Sequence, residues 1–193
     1  MSAGEAVERA LGRLLRWRRA GQAKLAWFDP RFATVPSTLA LTSPAFADGD
    51  WMPARSAAKG VGDNLSPPLV WSGAPEGTRA FALIVEDPDA PTPRPIVHAL
   101  ALDIPGDRAG LAEGALAPGA DPDLTLGRGT FGRVGWSGPR PIAGHGPHAY
   151  VFQLVALAGP LGLDASADLD SALAAIADSG LARGRLIGFY ERP

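Results

Sequence analysis

The chain's three histidines fall in two short stretches that also gather Asp, Pro or Gly: His98 in IVHALALDI, and His145 and His148 in GPRPIAGHGPH. A protonated imidazole can hold an anion, and a neutral one can accept or pass a proton. Upstream, Asp87 ends an apolar run and Asp89 follows it in DPDAP. Asp and Pro favour turns for local reasons, so DPDAP reads either as an Asx-turn or as the source of a carboxylate that orients a histidine. In the second case the carboxylate accepts an imidazole N–H, fixes the tautomer and raises the ring's basicity. The cationic ring can then grip an anion through charge-assisted bonds. His98 is open to two readings, a satisfied core residue or a ligand-facing one. Strand alternation predicts that it shares a face with Ile96 and Leu100. His148 and Tyr150 are two apart and should share a face where their strand begins. The glycines of GPRPIAGHGPH let backbone N–H groups approach an oxyanion. No GK[ST] follows and no helix opens there, so the stretch is neither a Walker A loop nor a dinucleotide fingerprint.

Other chemistries find less support. A His–Asp pair can serve as a general base for a small phosphoester or ester. Ser137 is the only hydroxyl nucleophile candidate nearby, however, and no GxSxG elbow is present. His98, His145, His148 and Asp87 are permitted metal ligand types, but HExxH or an equivalent spacing is missing. With no cysteine in the chain, thiolate sites, cysteine nucleophiles and disulfides are excluded. The expectation is a binding protein without cofactor or metal, with a His–Asp hydrolase as the alternative.

These groups need a scaffold, and 193 residues with 46% hydrophobic content suffice for one core. The 24 glycines and 19 prolines are spread along the chain, which suits short strands joined by irregular loops. Net charge is −2, so no nucleic-acid footprint covers the whole protein. Basic residues nevertheless crowd the start as Arg9, Arg13, Arg16, Arg18, Arg19 and Lys24. There is no signal-peptide core or membrane-length apolar run, so the default location is the cytoplasm.

Apolar runs at 80–86, 96–104 and 150–157 read as buried strands, the first apolar on both faces and so central. Shorter strands are expected at 38–42 and near 51–53 and 69–71. The prolines after Glu86 make 87–95 a loop. Residues 105–147 are mostly loop, a length that fits a functional segment. Residues 168–179 read as a helix with Asp168 or Asp170 near its N-cap and Gly180 past its end. The end of the chain, 181–190, reads as a short helix or strand. Residues 3–20 read as an amphipathic helix with Val7, Leu11, Leu14 and Leu15 as its stripe. That stripe should dock on the domain or on a second subunit; the competing reading is a helix lying on a membrane surface, which Arg and Trp17 fit and Glu5 and Glu8 oppose. Mostly strands with helices at the ends argue for an all-β or α+β sandwich.

Taken together, GDNLSPPLVWSGAPEGTRAFALIVEDPDAPTP (62–93), His98 in the next strand, GRGTFGRVGWSGPRPIAGHGPHAYVFQLVAL (127–157) and GRLIGFYER near the end resemble the phosphatidylethanolamine-binding proteins, in particular their small bacterial branch. The likeness covers 38–192 loosely and leaves the first helix outside. It implies a mainly β (α+β) sandwich with an added N-terminal helix and C-terminal helices, divided as a basic helical segment 1–24 and the domain 25–193. It further implies a pocket for phosphate or a phosphoryl head group, lined by Asp87, His98, Pro139, His148 and Tyr150, with Tyr190 closing over the ligand. A homodimer, and for some members a regulatory or inhibitory role toward a kinase or protease, also follow from the resemblance. The chain departs from the pattern at Ala149, which replaces the arginine of an HRY motif. It departs again at Arg140, where relatives often carry cysteine, and at Ile96 and Ala99, where aromatic residues are common.

Overall fold

A computed structural model describes residues 3–192. Its elements in chain order are α1 (Ala3–Leu15), β1 (Ala40–Thr42), β2 (Asp50–Trp51), β3 (Leu69–Ser72), β4 (Ala80–Asp87), β5 (Ile96–Pro105), β6 (Gly110–Leu111), β7 (Thr125–Leu126), β8 (His148–Leu157), α2 (Leu169–Ala177) and β9 (Gly180–Tyr190). A small sheet runs β1-β3-β6 and a larger one β2-β9-β8-β4-β5-β7. Every pairing is antiparallel except β2 with β9.

The larger sheet is covered on both faces, which is why its central strands are apolar at every position. All of β4 and β8 is buried. On one face Phe81, Leu83, Phe152 and Leu154 pack with Trp71 and Leu69 of the small sheet. On the other, Ala82, Ile84, Leu100 and Val155 meet Leu173 and Ile176 of α2 and Phe32 and Val35 of the N-terminal segment. Alternation alone would have left one of these faces to solvent. α2 opens with a capping box: Asp168 accepts from the Ser171 amide, and Ser171 accepts from the Asp168 amide.

Two expectations are corrected. Of the C-terminal helices that the resemblance implies, only α2 forms among the described residues, and 181–190, open to helix or strand in the sequence, lie in β9, paired with β8 along its length. Ala182, Gly184, Leu186 and Gly188 face inward, a period of two that only a strand satisfies. The first helix ends at Leu15 rather than at residue 20, and against the domain it docks by a side other than its apolar stripe, of which Leu15 alone is half-buried. Val7, Leu11 and Leu14 are exposed, while Gly12 is buried. A Cβ on Gly12 would lie 2.1 Å from the Ala143 carbonyl oxygen, so glycine there is what permits the close approach. Among the described residues no helix is long and apolar enough to cross a membrane.

The segment after α1 is fastened to the sheet by buried polar groups. The Glu86 carboxylate oxygen Oε2 accepts from the Ala26 amide (2.8 Å) and from Gln153 Nε2 (2.8 Å), and Gln153 Oε1 accepts from the Trp27 amide (2.6 Å). Burial pushes the Glu86 carboxyl above its ordinary value, and these two donors only partly offset that. As pH rises, the unfolded chain ionises at this residue before the folded one does. The stability tied to Glu86 is therefore full below the ordinary value and is lost as pH climbs through the raised one. Glu86→Gln cannot ionise. Urea unfolding between about pH 4 and pH 8 is expected to show the variant gaining on the wild type as pH rises; a difference that stays flat across the range counts against this reading.

Candidate functional site

The β4–β8 ladder ends at the pair Glu86 and Val151. Beyond it the two strands part, and a cavity of about 300 Å³ opens between the following loops. Asp87 sits at this fork. Its Oδ1 accepts from the amides of Asp89 (2.7 Å) and Ala90 (3.1 Å), and its Oδ2 lies 2.7 Å from His148 Nδ1. The two readings of DPDAP are thus both realised: the same carboxylate closes an Asx-type turn and holds a histidine.

The histidine chain continues past His148. His148 Nε2 lies 2.8 Å from His145 Nδ1, and His145 Nε2 lies 3.0 Å from the carbonyl oxygen of Leu15 at the end of α1. A carbonyl only accepts, so His145 carries a proton on Nε2, and a second proton lies between His145 Nδ1 and His148 Nε2. Three protons fill the three bonds, one more than two neutral imidazoles carry, and the third balances the Asp87 carboxylate. Burial and the adjacent His148 ring push His145 below the usual histidine value, against the pull of the Leu15 carbonyl.

Alternation places His98 on one face with Ile96 and Leu100, and the structure separates it from Leu100. Val85 pairs with Ala99 and Glu86 with Val97, so His98 is the extra residue of a β-bulge. Leu100 belongs to the outer core, while His98 turns toward Tyr150, ring edge to face at 4.9 Å. Bulges commonly re-aim a side chain in this way. His98 Nδ1 donates to the Ser137 carbonyl, so the neutral ring has a bare Nε2. Burial holds His98 below its usual value despite the opposing charge of Asp87. Its Nε2 and the Tyr150 hydroxyl are buried without a partner among the described residues. The backbone of Arg140 lies near that hydroxyl but outside hydrogen-bond geometry. Burial first, and the Asp87 charge second, keep Tyr150 a phenol.

Asp87, His98, His148 and Tyr150 all line the cavity. Pro139 and Tyr190 do not. Pro139 is buried behind the wall, where its carbonyl accepts from the Ala58 amide, and Pro141 takes the lining position. Tyr190 pairs with His148 across the β8–β9 ladder and packs against the core. Arg133 and Arg140 stand at the mouth, and Arg133 donates to the Ser137 hydroxyl at 2.9 Å. Among the described residues no three His, Asp or Glu side chains are placed to share a metal ion. The sequence reading missed His145 as the link to α1 and Arg133 as a rim cation. No local pattern marks either role, because both depend on segments far apart in the chain. A larger cavity of about 710 Å³ abuts this one along Ile96, Val97, Thr130 and Phe131. None of the buried unpartnered atoms lies on its walls.

Fold and pocket define a class, a two-sheet β protein with a buried polar cavity at one end of its main sheet. The family model described as phosphatidylethanolamine-binding protein matches residues 42–191. A UPF0098 protein of Methanothermobacter thermautotrophicus is 37% identical over 153 residues, covering 79% of this chain and 98% of that protein. One from Aquifex aeolicus is 33% identical over 162 residues, covering 83% and 93%. Among solved structures, E. coli YbcL, described as a member of the mammalian PEBP family, superposes with a TM-score of 0.76 at 29% identity, covering 81% of this chain and all of that one. The CT736 homologue from Chlamydia trachomatis gives 0.73 at 29% identity, covering 81% and 99%. The chain belongs to the phosphatidylethanolamine-binding protein family.

His145→Ala is expected to leave the Leu15 carbonyl and His148 Nε2 without partners. Each such group costs about 1–3 kcal/mol when it stays buried. Urea unfolding at neutral pH should therefore register a loss of that order, together with faster proteolysis within residues 3–20; an unchanged midpoint would mean that the chain from Asp87 to Leu15 holds nothing together.

Proposed function

We propose that the 300 Å³ cavity binds a small oxyanion, a phosphate or a phosphoryl head group, and that the protein is a binder rather than a hydrolase. The observation that carries this reading is the pair of buried, unpartnered polar atoms, His98 Nε2 and Tyr150 Oη, on one cavity wall. Buried polar groups are seldom left unsatisfied, because each such group costs about 1–3 kcal/mol. Here a ligand oxygen supplies what each lacks. Arg133 and Arg140 at the rim favour negative charge.

The two atoms ask for different things. Tyr150 donates to an anionic oxygen. The bare Nε2 of neutral His98 accepts, so it matches a P–OH of a partly protonated phosphate. For an anion without a proton, such as sulfate, His98 must first be protonated. Nothing in the pocket selects a kinase or a protease as a partner, since a fold and a pocket do not fix one.

Isothermal titration of phosphate and phosphoethanolamine near neutral pH is expected to show saturable binding that is abolished by His98→Ala. Tyr150→Phe should weaken it roughly tenfold or more, the usual effect of losing a hydrogen bond to a charged group. Sulfate should bind poorly at neutral pH and tighten as pH falls toward the lowered His98 value, because its binding takes up a proton. Equal affinity of wild type and His98→Ala for phosphate would remove the basis for the proposal. Release of phosphate from a generic phosphoester, lost in the same variant, would replace binding with hydrolysis.

A further inference from the structure

The docked side of α1 is polar and small. Gly12 meets the backbone at Ala143. Glu8 pairs with Arg192, and its Oε1 also accepts from the Ala143 amide at 3.4 Å. After the helix, Arg19 pairs with Asp89 at 2.7 Å and the Ala20 amide donates to the Ala90 carbonyl. These contacts hold the helix flat on the pocket loops and turn its apolar stripe outward. Relative exposure is 69% at Val7, 46% at Leu11, 78% at Leu14 and 81% at Trp17. Single exposed apolar residues are ordinary, but large ones at i, i+4 and i+7 followed by a tryptophan form a patch. The patch lies beside basic residues. None of Arg9, Arg13, Arg16 and Arg18 joins an ion pair among the described residues, and the Arg16 guanidinium rests over the Trp17 ring at 4.5 Å. Residues 3–20 hold five arginines against two glutamates, in a chain whose net charge is −2.

We propose that the outward face of α1 is a docking surface for an anionic membrane, with Val7, Leu11, Leu14 and Trp17 entering the headgroup boundary and the arginines engaging lipid phosphates. Charge decides between occupants. Two copies of this face paired about a twofold axis would set arginines against arginines, a like-charge contact that weakens self-association. An anionic bilayer opposes them with phosphates and accepts a tryptophan at its interface. The helix need not unfold or turn over to bind, because the fold already presents the apolar side.

The test is co-sedimentation of the full-length protein with phosphatidylcholine vesicles, with and without phosphatidylglycerol. The wild type is expected to pellet with the anionic vesicles only, and less so as salt rises. Arg13→Gln should lower the partition coefficient about fivefold, the share of one basic residue near an anionic surface. Leu14→Asp should abolish binding. Because Leu14 is outside the core, that variant keeps its fold, which its circular dichroism spectrum and thermal midpoint would verify. The proposal is overturned if the wild type stays in solution, if Leu14→Asp pellets equally well, or if the wild type is a dimer that Leu14→Asp dissociates while neither form binds vesicles.

Discussion

The pocket depends on one carboxylate. The β4–β8 ladder holds the two strands together only as far as Glu86 and Val151, and past that pair each strand is held only by its outer neighbour, Asp87 by Ile96 and His148 by Tyr190. Asp87 sets the distance. One of its oxygens pins the turn at Asp89 and Ala90, and the other pins His148 at the start of β8. A carboxylate that accepts two backbone amides and an imidazole N–H is well compensated for burial. Its removal would leave two amides and a ring unsatisfied at once. The cavity is therefore a consequence of where the ladder stops and of what replaces it there.

The same bond ties the N-terminal segment to the pocket. His148 bridges Asp87 and His145, and His145 in turn donates to the Leu15 carbonyl. Position 12 must be glycine for α1 to come this close. The helix lies outside residues 42–191, which match the family model, yet it supplies the last link of a hydrogen-bond chain that begins inside it.

Much of this was legible in the residues. The runs at 80–86 and 150–157 announced buried strands because both faces are apolar, and the cover on both faces explains them. The DPDAP turn and the His148–Tyr150 pair located the pocket. What failed were inferences from ideal periodicity. Strict alternation groups His98 with Ile96 and Leu100, but as the bulged residue of β5 it stays with Ile96 at the cavity and parts from Leu100. The stripe of α1 was read as the docking side because apolar faces usually are, whereas a glycine and two ion pairs, Glu8 with Arg192 and Arg19 with Asp89, do the docking. Pro139 and Tyr190 came from resemblance alone, and they support the wall without forming it. His145 stood out as one of three histidines, but its link to α1 carried no signal, since that partner is a backbone carbonyl 130 residues away.

Ala149, the departure from the HRY pattern, has a physical account in the added segment. The side chain at 149 points away from the pocket, buried in a small cluster with Leu25 and Val151 under Trp27. Leu25 and Trp27 belong to the strand of chain that follows α1, and Arg183 and Arg185 stack on the Trp27 ring at 4.3 Å and 5.2 Å. An arginine at 149 would have to displace Leu25 or bury its charge beneath it, and an unpaired buried charge is among the costliest groups a fold can carry. The cation beside this strand end comes from elsewhere. Arg19 reaches Asp89 Oδ1 while the Ala149 amide takes Asp89 Oδ2 at 2.7 Å. Residue 149 is small because the N-terminal segment covers it, and the segment brings an arginine of its own to the same carboxylate.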